Sequence, residues 1–218
     1  MLRLIKKNIP FLTLYIVILI AGSITVLLYS KTDIHLTISN LHSPFLDKFF
    51  KYITHLGSGI TAGIVAVFLL FVRLRYSIIL SVSAVSSGVV VQLLKRLLFS
   101  GCERPVVYFR GIDELYYVPG IDLHTHFSFP SGHSVTAFII FGLIAFISDR
   151  EPIKISALLL SFIVSYSRVY LSQHFLVDIL AGSFLGMITI LFFYWYFHTL
   201  KGTWINKPVQ SFFRSVKK

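Results

Sequence analysis

The chain has 218 residues, of which 56% are apolar, 16% aromatic and only 13% charged, with a mean hydropathy of +0.80. That composition excludes a soluble domain of this size and leaves too little polar sequence for a separate soluble module. The net charge of +11 does not mark a nucleic-acid binder, because the basic residues sit in short gaps between apolar runs rather than in one stripe.

A helix needs about 20 mostly apolar residues to cross the hydrocarbon core of a bilayer. Six runs answer to this in chain order: 11–29, 54–72, 76–94, 129–148, 153–170 and 179–197. The first follows Arg3, Lys6 and Lys7. Its apolar stretch is too long for a signal peptide and no A-x-A-like cleavage site follows, so it reads as an uncleaved span. Gly57, Gly59 and Gly63 in the second predict close helix packing. The fourth takes in apolar residues from Phe127–Phe129, and the fifth carries Arg168 near its end. Cys102 is the single cysteine, so it makes neither an intramolecular disulfide nor a CxxC metal site.

With the N-terminus inside, the inner segments hold Arg3, Lys6, Lys7, Arg73, Arg75, Arg150, Lys154, Lys201, Lys207, Arg214, Lys217 and Lys218. The outer ones hold Lys31, Lys48, Lys51, Lys95, Arg96, Arg104, Arg110 and Arg168. Twelve against eight predicts both termini in the cytoplasm. The tail, with Trp204, Phe212 and Phe213 among its basic residues, reads as an interfacial anchor. No repeat or linker interrupts the chain, which reads as one membrane-embedded domain over 1–218.

Charged residues beside membrane spans are costly and tend to be functional. Four clusters stand out: Lys95 with Arg104-Pro105, Pro130-Ser131-Gly132-His133, Ser167-Arg168, and His174 with Asp178. Span parity places all four on one face of the membrane. Lys95, Arg104 and Arg168 suit a multiply charged anion, and arginine makes bidentate contacts to phosphate. Ser131 fits an N-cap, so the free N–H groups that follow would point at an anion. His174 and Asp178, four apart at a helix start, meet on one face. There the carboxylate holds one imidazole nitrogen and frees the other to attack. His133 remains to protonate a leaving oxygen.

The spacing Ser167-Arg168, five residues, His174, three residues, Asp178 resembles the third signature of the type 2 phosphatidic-acid phosphatase family, and Phe129-Pro130-Ser131-Gly132-His133-Ser134 resembles its second. The resemblance implies an all-α bundle of six transmembrane helices with a metal-independent, cofactor-free site at the outer face. It implies phosphate binding by Lys95, Arg104, Ser131, Gly132 and Arg168, a general acid in His133, a nucleophile in His174 and an orienting partner in Asp178. The activity it implies is removal of phosphate from a lipid through a phosphohistidine. The partners are then a lipid phosphate and the surrounding membrane lipids, in a bacterial inner membrane. Undecaprenyl pyrophosphate and phosphatidylglycerophosphate are the preferred substrates, with phosphatidic acid and lipid A phosphates also fitting the family. One departure concerns the first signature: eight residues separate Lys95 from Arg104 where the family has six, and Arg96 stands beside Lys95 as a competing cation.

Other readings carry distinct marks. Asp122, His124, His126 and His133 offer a zinc site, although no second cluster completes it. Tyr116, Tyr117, His124 and Phe127 suit a lid or substrate wall in the long segment 106–129. A vanadate-dependent haloperoxidase would share the anion cradle, a lipid phosphotransferase would share the phosphohistidine, and a non-catalytic lipid-binding or transport protein would share the spans.

Overall fold

In an apolar chain, helices satisfy every backbone group internally, and the described residues of this computed structural model, 1–111, 115–202 and 204–211, form helices and no strand. Arg214, Lys217, Lys218, Phe212 and Phe213 of the expected basic and interfacial tail lie outside the described residues.

A short α1 (Leu2–Lys7) leads into α2 (Ile9–Leu28). Then come α3 (Lys31–Ser39), α4 (Pro44–Ile53), α5 (Gly59–Val72) and α6 (Leu74–Leu93), followed by α7 (Pro105–Tyr108), α8 (Gly132–Ile147), α9 (Glu151–Tyr170) and α10 (Leu176–Thr199). Serine decides several starts. Ser30, Ser43, Ser58 and Ser131 each accept a backbone N–H of the first turn, capping α3, α4, α5 and α8. Neither α3 nor α4 was expected from apolar runs, since both are short and carry polar residues.

Among the described residues, four helices are long and apolar enough to cross a membrane: α2, α6 with its extension to Leu98, α9 and α10. The chain is an integral membrane protein. The segments Pro44–Gly57 and Gly59–Val72, bent by 56°, would together make a fifth span. The expected second span, 54–72, therefore begins in a 3-10 turn, Thr54–Gly57, and leaves α5 with 14 residues. The expected fourth, 129–148, shrinks to the 16 residues of α8. Phe127–Phe129 do not join it: Phe127 has a left-handed backbone (φ 57°), and Ser131 starts the helix as its cap.

α8 is the axis of the core. Ala137, Phe138, Ile139, Ala145 and Phe146 are fully buried on several sides of it, as befits a helix apolar all round. It lies closest to α10, where Gly182 and Gly186 sit one turn apart. A Cβ at Gly182 would fall 2.5 Å from the Ser131 carbonyl, and one at Gly186 2.6 Å from that of Val135. Small residues at this spacing let two backbones touch. Of the three glycines expected to pack, Gly57 does so against the His133 carbonyl and Val164, whereas Gly59 and Gly63 face open space.

Some cations assigned to topology are structural as well. Arg75 is buried and donates to the Phe197 and Leu200 carbonyls, closing the end of α10. Lys154, also buried, donates to the Lys7 carbonyl and pairs with Glu151.

Candidate active site

The site forms where the ends of α6 and α9 meet the starts of α8 and α10. The last turn of α6 widens into a π-helix over Leu94–Leu98, which turns Lys95 inward to 7% exposure while Arg96 stays exposed. Lys95 Nζ donates to the Phe127 carbonyl at 2.8 Å. A single π turn often marks a functional position in a helix.

Two backbone hydrogen bonds, Ser128 N–H to the Cys102 carbonyl and Arg104 N–H to that of Thr125, close the long loop on itself. Arg104 is thereby aimed at the start of α10. Its Nε donates to the His126 carbonyl (2.9 Å) and its Nη1 to the Gln173 carbonyl (2.9 Å), and Nη1 lies 3.5 Å from His174 Nε2.

The turn joining α9 to α10 explains the fixed interval between Arg168 and His174. The backbone N–H groups of Gln173 and His174 both donate to the Arg168 carbonyl, with Ser172 in a left-handed conformation (φ 52°). The Ser172 hydroxyl meets His35 Nε2 at 3.1 Å, and the His35 ring stacks on Phe109. Burial holds His35 down at about 4, so it is a neutral brace. Arg168 reaches Thr54 Oγ1 (2.9 Å) and Gln173 Oε1 (3.3 Å), while its buried Nε has no partner among the described residues.

His174 is 2% exposed, with Nδ1 3.2 Å from Asp178 Oδ2. The same oxygen accepts from the Phe175 N–H at 3.0 Å and from Ser128 Oγ at 2.5 Å. A carboxylate beside Nδ1 requires the proton there, so Nε2 keeps its lone pair on the side of Arg104. Burial pushes the imidazole down to about 3; Asp178 opposes the shift, and Arg104 and Arg168 add to it. Burial also lowers the Arg104 guanidinium from its ordinary value, with Asp178 opposing.

The start of α8 completes the cluster. Ser131 N–H donates to the Asp178 carbonyl, tying the first turns of α8 and α10 together, and its hydroxyl caps α8 through Ser134 N–H. A Cβ on Gly132 would meet only Val91, at 3.9 Å, so there is room beside this residue. His133, half-buried, has the Arg168 and Arg104 guanidinium groups and the His174 and His55 rings as neighbours.

All eight residues singled out in the sequence thus gather at one end of the bundle. Three that were not singled out join them: Ser128, Gln173 and Thr54. Ser128 and Gln173 flank the motifs and are polar residues in apolar surroundings, a usable signal, but Thr54 is brought in only by the fold. Among the described residues, no group of three or more His, Cys, Asp or Glu side chains is arranged to hold a metal ion. Tyr116 of the loop donates to Asp47 Oδ2 on α4, where His42 Nδ1 and Tyr170 Oη also converge on the carboxylate. Loop and α4 are held together by that cluster.

The chain is 38% identical over 76 residues to phosphatidylglycerophosphatase B of Bacillus subtilis, a match covering 31% of this chain and 36% of that protein. It is 35% identical over 68 residues to the bacitracin transport permease protein BcrC of Bacillus licheniformis, covering 31% and 32%. It spans about a third of the length of these curated relatives. Among solved structures, Aquifex aeolicus LpxE superposes with a TM-score of 0.68 at 27% identity, over 76% of this chain and 94% of that one. A transmembrane PAP2-type phosphatidylglycerolphosphate phosphatase from Bacillus subtilis gives 0.65 at 20% identity, over 90% and 98%, and shows the shared fold. The PAP2 superfamily model matches residues 76–201, which is more than half of the chain and contains all eight of the residues singled out in the sequence, and the chain belongs to that superfamily.

Proposed function

We propose that this chain is a membrane phosphatase that hydrolyses a phosphomonoester or pyrophosphate on a lipid through a phosphohistidine. The observation that carries the reading is the His174 imidazole, buried between Asp178 at Nδ1 and Arg104 on the Nε2 side. His174 Nε2 attacks phosphorus in line, forming the N–P bond as the P–O bond to the lipid breaks. Arg104, Arg168, Lys95 and the N-terminus of α8 at Ser131 and Gly132 balance charge on the equatorial oxygens. His133 gives a proton to the departing oxygen, then takes one from the water that cleaves the N–P bond.

Three fixed cations supply the positive charge on this reading, and no metal is needed. There are then six spans in one domain, with α4 and α5 as one bent span and α8 as a short one, so both termini share a side. The excess of basic residues there supports the cytoplasmic side, with the site on the outer face of a bacterial inner membrane. Similarity to a phosphatidylglycerophosphatase supports phosphatidylglycerophosphate as substrate, with undecaprenyl pyrophosphate the other candidate that the sequence motifs imply.

The test is phosphate release by the detergent-purified chain from a panel of lipid phosphates and pyrophosphates. His174→Ala is expected to abolish release while leaving the protein folded. His133→Ala is expected to lower release by at least about a hundredfold, and the unaltered chain, quenched early after mixing with substrate radiolabelled in the phosphate, is expected to retain acid-labile label. Activity is expected to survive EDTA and to be inhibited by vanadate. Substantial turnover by His174→Ala refutes the nucleophile, and loss of activity on chelation refutes the metal-free mechanism.

A further inference from the structure

Two troughs run end to end along the seam between α2 and α10 and join at Phe184, which lines both. The first, about 390 Å³, lies between Leu19, Ser23 and Leu27 of α2 and Leu180 and Ala181 of α10. Its outer end is formed by Phe129 and Val177. These are the chain neighbours of Pro130 and Asp178, so the trough ends next to the two segments that start α8 and α10 at the site. The second, about 410 Å³, continues past Thr13 and Ile16 on one side and Met187 and Leu191 on the other.

The walls are apolar almost throughout. The Ser23 hydroxyl is spent on the Leu19 carbonyl at 2.8 Å, so it asks nothing of an occupant. The seam is also narrow. Leu180 packs against Gly22, where a Cβ would fall 2.8 Å from Leu180 Cδ2, and this contact draws the two helices together. From Ile9 to Leu27 the lining runs about 27 Å along α2 at 1.5 Å per residue. That is nearly the whole hydrocarbon thickness of about 30 Å, whereas a chain belonging to one leaflet reaches about half of it.

We propose that this seam holds the hydrocarbon chain of the substrate whose phosphate sits in the cradle, and that its length and width select one chain longer than a leaflet over paired acyl chains. The proposal rests on the phosphatase reading above. It takes the first trough as common to any lipid phosphate and the second as used only by the long single chain.

The experiment compares three substrates with the full chain in detergent: a short-chain alkyl monophosphate, a diacylglycerol phosphate and a long polyisoprenyl phosphate. Ala181→Trp fills the first trough and Thr13→Trp the second. Thr13→Trp is expected to raise KM for the polyisoprenyl phosphate about tenfold relative to the short ester, and to leave the diacyl substrate in line with the short one. Ala181→Trp is expected to raise both lipids relative to the short ester. If Thr13→Trp leaves the polyisoprenyl KM unmoved, or moves both lipids alike, the seam proposal fails while short-ester hydrolysis keeps the phosphatase reading. Failure of the unaltered chain on all three substrates removes the phosphatase reading itself.

Discussion

Ser128 Oγ donates to Asp178 Oδ2 across 2.5 Å and lies 3.5 Å from His174 Nδ1, so one hydroxyl from the loop before α8 touches both members of the pair on α10. Its proton goes to the carboxylate, which leaves it only an acceptor's role towards the imidazole. Both contacts favour the tautomer with the proton on Nδ1. Ser128→Ala leaves a buried carboxylate with one donor fewer and the ring with one restraint fewer. The expected result is a fall in kcat of about tenfold with KM little changed, since Ser128 lies behind the ring rather than in the cradle. Ser128→Thr, which keeps the hydroxyl, is expected to recover most of the rate. Phosphate-release kinetics on the three proteins decide it, and an unchanged kcat in the alanine variant overturns the positioning role.

Lys95 and Arg96 are adjacent in the chain and opposite in environment, one buried against the Phe127 carbonyl and the other exposed. A cation at a developing phosphoryl charge in a water-poor site is worth about 3 kcal/mol, or about a hundredfold in rate. Lys95→Met is therefore expected to lower kcat/KM by about that factor, and Arg96→Met by less than about twofold. Equal losses from the two would show that the π turn does not select between them.

The depressed His174 imidazole predicts a sign for the pH dependence of stability. In the unfolded chain histidine takes a proton near its ordinary 6.5, while folded His174 resists until about 3. The unfolded state thus binds more protons between those values, so the contribution is complete above 6.5 and is lost as the pH falls through the window. The loss approaches about 1.4 kcal/mol for each unit. His35, held down at about 4, acts in the same direction. Thermal unfolding in detergent is expected to show Tm falling from pH 6.5 towards 4, with a shallower slope in His174→Gln. An identical slope in the variant would place the titration elsewhere.

How much of this was legible in the sequence depends on how local the cause is. The cap at Ser131 and the Arg168–His174–Asp178 spacing are short-range, and each was readable. The fold adds why that spacing holds: two N–H groups converge on the Arg168 carbonyl across a left-handed Ser172. The start of the fourth span was misjudged because Phe127–Phe129 are apolar, yet they form the loop that carries Ser128 and receives Lys95. Apolar character alone cannot separate a lipid-facing turn of helix from a loop packed over a site. Thr54 was invisible for another reason, since its partner Arg168 is 114 positions away.

The glycines give the sharpest separation between pattern and packing. Gly57 and Gly182 press on backbone, the first 2.8 Å from the His133 carbonyl at the Cβ position and the second 2.5 Å from that of Ser131, whereas Gly63 meets nothing within 4 Å. A carbonyl in the first turn of α8 cannot rotate away as a side chain would, so a methyl at either contact must move the helix start that presents Ser131, Gly132 and His133. Gly57→Ala and Gly182→Ala are each expected to destabilise by about 1–3 kcal/mol. They should also lower kcat, because the displaced groups belong to the cradle. Gly63→Ala, inside α5 with open space around it, gains helix propensity and is expected to be as stable as the unaltered chain or more so by up to about 1 kcal/mol. Tm and phosphate release measured on the three variants test this directly. A Gly182→Ala protein with unaltered activity would mean that α8 and α10 do not hold the site through their backbone contact.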